Sequence, residues 1–268
     1  MKAVQTVPAT ELVFPDSDGQ PMAENTRQYE AIVTLKGNIE AFAPATAFVA
    51  GDHLIYVDPT DPSQRQAPDV YVAFGRPRGH RGSYKVWEED NIFPQVIFEV
   101  LGPSNTPAEM RAKRHFYFQH GAEEYYEFDP EAGTWLGFIR NPDTGQPEPV
   151  ETMDGFVSPR LGMKFDFAPL ELRVYRPDGR RFLSFQELHD LAERNAHQAA
   201  EAQRLAERNA QQAAEAQQRA AEALQQAEEA RRRLEQAAQQ AEYQRQESER
   251  LRALLRAAGI DPDTLPPS

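Results

Sequence analysis

A fourteen-residue unit occurs twice in direct succession, LAERNAHQAAEAQR from Leu191 to Arg204 and LAERNAQQAAEAQQ from Leu205 to Gln218. Fourteen residues are two heptads, a period that an α-helix can sustain face by face. Beyond Phe185 the chain is built mainly of Ala, Gln, Glu and Arg, with Tyr243 as the only aromatic residue. The spacing therefore predicts a long polar helix over 185–258, followed by a short tail, 259–268, with Gly259 as the helix stop and Pro262 just beyond it. At seven-residue spacing Ala192, Ala199, Ala206, Ala213, Ala220, Ala227, Leu234 and Ala241 form one row. A second row mixes Ala196, Gln203, Ala210, Gln217, Leu224 and Arg231. Alanine buries far less area than the Leu and Ile that stabilise coiled coils. Two readings stay open: a single solvated helix held by propensity and i,i+4 pairs, and a coiled coil that makes a homodimer.

Residues 1–184 have a different character, rich in aromatic and β-branched side chains, as one globular domain requires. The chain carries a formal net charge of −13, of which the part from Phe185 onward accounts for −4 and the head for −9. So acidic a head binds DNA poorly through counterion release, which depends on Lys and Arg neutralising phosphates. The chain has no cysteine, which excludes disulfides and thiolate metal sites. No basic segment followed by an apolar run opens it, and no stretch reaches the length of a membrane span. A cytoplasmic location is the expectation.

Within the head, a first helix is expected from about Asn25 to Ala41, capped by Thr26, with Tyr29, Ile32, Val33 and Ile39 as its apolar positions. Strands are expected at Phe48 to Val57, Asp69 to Phe74 and Gln95 to Leu101. A second helix should run from Pro107 to His120 and end at Gly121. Glu124 to Phe128 reads as a strand closed by Asp129-Pro130, with Thr134 to Ile139 as its hairpin partner. Shorter extensions are expected at Phe156 to Val157, Met163 to Phe167 and Leu172 to Tyr175. The strand, helix, strand run from Gln95 to Phe128 implies a parallel crossover, so the fold class is α/β with a mixed sheet flanked by helices.

Three charges sit where a core would not want them. Glu99 interrupts the apolar run Val96-Ile97-Phe98-Glu99-Val100-Leu101, and a buried carboxylate is costly unless paired or bound to metal. Asp69 opens the strand after Pro68. Lys113 shares a helical face with Met110, Phe116, Tyr117 and His120, the face that should meet the sheet, whereas Arg111 falls outside it. Two carboxylates and a lysine converging on one sheet edge form a set for metal-assisted phosphodiester hydrolysis. With the Val100 backbone carbonyl, the carboxylates would hold a hard cation, Mg²⁺ or Mn²⁺, and the lysine would orient the attacking water. From spacing alone the plainer reading comes first, a buried Glu99–Lys113 ion pair and a capping Asp69.

The run PQVIFEVLGPSNTPAEMRAKRHFYFQHGAEEYYEFDPE, preceded by APDVYVAFGRPRGHRGSYKVWEEDNIF, resembles the Uma2 family of restriction-endonuclease-like proteins with the PD-(D/E)xK nuclease fold. The resemblance covers about Phe14 to Tyr175. It implies that Asp69 stands for the family's first acidic residue and Glu99 for the second. The position two residues after Glu99, where a standard E-x-K signature carries lysine, holds Leu101. The resemblance implies that the lysine comes from the next helix, as Lys113. Gly102 replaces a serine usual in the family, and Gln95 stands where many members have aspartate.

Other residues admit a functional and a plain reading. Glu30 could add a third carboxylate to the metal site from the first helix. Arg76, Arg78 and Arg81, in the glycine-rich loop from Gly75 to Ser83, could contact a phosphate backbone or simply face solvent. Lys85 is the rival to Lys113. His80, His115 and His120 match no zinc spacing, and Trp87 reads as a core anchor. The leading expectation is a Mg²⁺-dependent endonuclease, a hydrolase of DNA phosphodiester bonds. The alternative is a non-catalytic protein of the same fold that oligomerises or docks a partner through its helical tail.

Overall fold

The computed structural model describes residues 12–17, 19 and 21–259. Its first helix, α1 (Thr26–Phe42), is capped by Asn25, whose side-chain oxygen accepts from the Gln28 N–H at 2.9 Å. The expected cap was Thr26; Asn25 takes the role because its extended backbone aims its side chain back at the first turn. The buried face is Gln28, Ala31, Ile32, Leu35, Asn38 and Ile39, a helical stripe of i, i+3, i+4 spacing. Tyr29 and Val33, expected on that face, lie on its flank and are exposed. The two polar residues on it replace missing backbone partners. The Asn38 amide, for instance, donates to the Leu183 carbonyl at 2.8 Å and accepts from the Leu183 N–H at 3.2 Å.

There follow β1 (Ala47–Ala50), β2 (Ile55–Tyr56), β3 (Arg65–Gln66), β4 (Val70–Phe74), β5 (Tyr84–Lys85), a 3-10 turn (Val86–Glu88) and β6 (Val96–Val100). Helix α2 (Pro107–His120) leads to β7 (Glu124–Asp129), β8 (Thr134–Arg140), β9 (Pro147–Pro149), β10 (Lys164–Phe165), β11 (Val174–Tyr175) and α3 (Phe185–Ala257). The single strand expected from Phe48 to Val57 is two, because Gly51 and Asp52, the latter at φ 48°, turn the chain between them. Of the expected late extensions only β10 and β11 form a ladder, and Val157 contributes one isolated bridge to Lys164.

The main sheet has the order β1-β4-β6-β7-β8-β9. Only β6 and β7 run parallel, joined through α2 as the strand, helix, strand pattern requires; the other neighbours are antiparallel. All five residues of β6 are buried, since helices cover both faces at the centre of the sheet. On one face Ile32, Leu35 and Ile39 of α1 pack on Val70, Val72, Val96, Phe98 and Val100. On the other, Tyr117 and Phe118 of α2 pack on Tyr71, Ala73, Ile97 and Tyr125. Helix α2 carries a full capping box between Thr106 and Glu109, Pro107 in its first turn and Gly121 at φ 128° after its end. Glu99, between Phe98 and Val100, therefore points to the α2 face.

The chain divides into two compact units, Met1–Leu191 and Ala192–Ser268. Helix α3 begins with a capping box, the Glu187 N–H donating to Ser184 Oγ at 3.2 Å and the Ser184 N–H to Glu187 at 2.8 Å. It runs for 73 residues, about 110 Å at the helical rise, and none of them is buried. Spaced i,i+4 pairs such as Arg231–Glu235 at 3.0 Å and Arg245–Glu249 at 3.4 Å line its surface. It ends at Ala257, with Gly259 at φ 79°; Pro262 lies outside the described residues. Among the described residues no helix is long and apolar enough to cross a membrane.

Candidate active site

Beyond the start of β4 the central strand β6 loses its neighbour on that side, while β7 stays paired with it. Val70 pairs with Phe98, so the next step outward sets Asp69 opposite Glu99, and Val100, still paired with Phe128 of β7, lies past the last residue paired with β4. Its backbone groups are taken by side chains instead, as buried peptide groups require. The Val100 N–H donates to Asp69 Oδ2 at 2.6 Å, and the Val100 carbonyl accepts from the Gln28 carboxamide of α1 at 2.9 Å. Gly51 allows the end of β1 to close on this point: a Cβ there would lie 2.3 Å from the Asp69 carbonyl oxygen.

Glu99 is 2% exposed. Each carboxylate oxygen has its own donor from α2, Lys113 Nζ at 3.0 Å on Oε2 and the Tyr117 hydroxyl at 2.6 Å on Oε1. The two donors are four residues apart, so one helical face presents both. Asp69, Glu99 and Lys113 thus converge from the start of β4, the middle of the sheet and the covering helix.

The electrostatics follow from crowding and burial. Burial first and the charge of Glu99 second push the Asp69 carboxyl well above the usual range. Burial also raises Glu99, although Lys113 and Tyr117 work against it. Burial disfavours the charge on Lys113, but Glu99 and Asp69 outweigh that and hold the ammonium above its ordinary value. Lys113 is therefore a fixed positive charge at neutral pH, not a base.

A second pair stands beside the first. Glu127 is the register partner of Glu99 on β7, and Arg114 donates to it at 3.2 Å while its guanidinium lies 3.7 Å from the centre of the Phe138 ring. This pair was not read from the sequence. Its signal is the same as that of Glu99: Glu127 interrupts an apolar strand, and Arg114 adjoins Lys113 on the helix.

Other expected site residues are placed elsewhere. Glu30 is exposed and lines a separate cavity of about 620 Å³ with Arg27, Phe128 and Leu172. At 100° per residue it stands 200° around α1 from Gln28, the residue that does reach the strand end. Arg76 and Arg81 converge on Glu89, at 3.2 and 2.5 Å, and Arg76 also pairs with Asp90. Arg78 donates to the carbonyls of Glu40 and Ala43, tying its loop to the end of α1. These arginines hold the loop in place rather than presenting free forks to a phosphate. Lys85 pairs with Glu88 at 3.2 Å. His80 and His115 are exposed, and His120 rests against Phe116 and Phe93. Trp87 is half-buried against Phe14.

The two departures from the family pattern have physical correlates. Gln95 accepts from the Phe74 N–H at 2.7 Å, at the opposite end of β6 from Val100. At Gly102 an added Cβ would lie 2.9 Å from Gln28 Oε1, so a serine would displace the Gln28 carboxamide.

Among the described residues no three carboxylate or imidazole side chains cluster to enclose a metal ion. An all-protein cage is thus absent from those residues. Mg²⁺ asks for less, since it keeps several waters and is commonly held by one or two carboxylates. Asp69, Glu99 and the Val100 carbonyl are an all-oxygen donor set that fits such an ion. The repulsion from Glu99, which adds to burial in raising Asp69, is what a divalent cation would relieve.

A family model described as Uma2, putative restriction endonuclease, matches residues 18–178. No curated protein matches. Among solved structures, a putative nuclease belonging to DUF820 from Anabaena variabilis ATCC 29413 is similar at 12% identity and a TM-score of 0.38. That similarity covers 50% of this chain and 72% of that one. A likeness so faint says nothing about chemistry.

Proposed function

Because the chain belongs to the Uma2 family, whose model spans its folded head, we propose that it is a metal-assisted endonuclease hydrolysing DNA phosphodiester bonds. The observation that carries this reading is the convergence of Asp69, Glu99 and Lys113 on one point from three separate elements. Asp69, Glu99 and the Val100 carbonyl would hold Mg²⁺ or Mn²⁺, which when bound polarises a phosphate oxygen and lowers the pKa of a water. Lys113 keeps its proton at neutral pH, so it orients the nucleophile by donating a hydrogen bond and offsets charge developing on the phosphoryl oxygens. Tyr117 fixes the rotamer of Glu99 by occupying Oε1. The test is plasmid nicking in Mg²⁺ or Mn²⁺ by the intact chain, Glu99→Ala and Lys113→Ala. Each substitution should lower the rate by about 100-fold or more, the cost of removing a charge-stabilising donor or a metal ligand. Activity that survives both would reject the assignment.

A second reading keeps the nuclease-type fold without cleavage and uses α3 to pair with a second copy. It is favoured by one observation: a helix of 73 residues with no buried side chain. Sedimentation of the intact chain against one ending at Ser184 separates a tail-made dimer from a solvated helix.

A further inference from the structure

The carbonyl of Val100 is offered to the candidate metal site by a strand end that keeps β7 on one side, with Val100 opposite Phe128, but has run past the end of β4 on the other. Something must hold that peptide still, because a backbone ligand is only as well placed as its own hydrogen bonds. The peptide's N–H side is fixed within the sheet, Leu101 N–H donating to the Phe128 carbonyl at 2.8 Å. Its carbonyl side is held by Gln28 alone among the hydrogen bonds of the described residues.

The Gln28 carboxamide is itself oriented. Its oxygen accepts from the Glu24 N–H at 2.8 Å and its nitrogen donates to Val100 at 2.9 Å, so a flipped amide would set like against like at both contacts. Gln28 is 6% exposed, on the apolar face of α1, a position where a residue serving packing alone would be apolar. The room it occupies exists because residue 102 lacks a side chain: a Cβ there would lie 2.9 Å from Gln28 Oε1 and 3.2 Å from its Cδ.

We propose that Gln28 and Gly102 act as one positioning unit that sets the Val100 carbonyl as a metal ligand, with Gln28 orienting the carbonyl and Gly102 giving Gln28 its place. This rests on the metal-assisted reading above and extends it to residues that touch neither metal nor substrate. A carbonyl has two lone pairs, so the bond from Gln28 leaves one for a cation and fixes its direction.

The test is calorimetric titration of the intact chain with MnCl₂, which needs no turnover. Gln28→Ala should weaken Mn²⁺ binding by about tenfold, the lower end of what loss of a partner behind a ligand costs. Gly102→Ala should weaken it to a similar degree by displacing the carboxamide. The double variant should be no worse than Gln28→Ala, because both changes remove the same hydrogen bond. Gln28→Met keeps the length and packing of the side chain without the donor, and should match Gln28→Ala even if the alanine variant folds poorly. Unchanged affinity in Gln28→Met, or losses that add in the double variant, would overturn the proposal. If Asp69→Asn and Glu99→Gln abolish binding while the Gln28 variants do not, the metal site stands and this unit fails. If the folded wild-type chain takes up no Mn²⁺, the metal reading falls and takes the inference with it.

Discussion

The Tyr117 hydroxyl donates to Glu99 Oε1 over 2.6 Å with both side chains out of solvent. A hydrogen bond to a charged acceptor contributes about 1.5–3 kcal/mol, and here its loss would leave a carboxylate oxygen buried without a donor. Tyr117→Phe should therefore lower stability by about 2 kcal/mol in urea denaturation with an unchanged slope. A variant as stable as wild type would mean that the contact carries no net energy.

Asp69 makes the candidate site a burden on the fold when no cation is bound. Burial and the charge of Glu99 raise its carboxyl well above the ordinary range. A carboxyl that holds its proton more tightly when folded contributes fully below its unfolded pKa, about 3.9. That contribution is lost as pH rises through the folded value. Asn at this position cannot ionise and can still accept from the Val100 N–H. In metal-free buffer Asp69→Asn should melt above wild type at pH 7, and the gap should close as pH falls toward about 4. A wild type that is the more stable protein at pH 7 would contradict the assignment.

With −9 on the head and −13 overall, the chain lacks the positive field that retains DNA. Fluorescence anisotropy of a labelled duplex should show no binding at about 0.15 M salt without a divalent cation, and binding should emerge when Mg²⁺ or non-catalytic Ca²⁺ is added. Tight binding in chelator would place the DNA contact on a surface other than the Asp69–Glu99 site.

Helix α3 has no buried residue, so its helicity rests on propensity and i,i+4 pairs rather than on a core. Ellipticity at 222 nm should fall in two parts, a broad non-cooperative decline from α3 and a sharp step from the head. The near-UV signal should follow the sharp step alone, since Tyr243 is the only aromatic residue of the second unit. A sharp, concentration-dependent loss of the α3 signal would instead be the mark of a coiled-coil pair.

Local patterns determined much of this protein. The bounds of α2, from Pro107 to His120 with Gly121 behind it, follow from a proline, a capping box and a glycine that act within one turn of themselves. The β7–β8 hairpin and the long helix ending before Gly259 are legible for the same reason: each is set by neighbours in sequence. Glu99 and Lys113 were also readable, because a charge inside an apolar strand or on a core-facing stripe needs a partner wherever the chain finds one.

Only the tertiary structure decided which partners these are. Gln28 was hidden because a polar residue on a helix face reads as solvent-facing until a strand end 72 residues away presents an unpaired carbonyl to it. Arg76 and Arg81 read as free basic residues until the fold brought Glu89 between them. The placement of Asp69 opposite Glu99 depends on the register of β4 against β6. That register is fixed by packing on both faces of the sheet, and no stretch of sequence contains it.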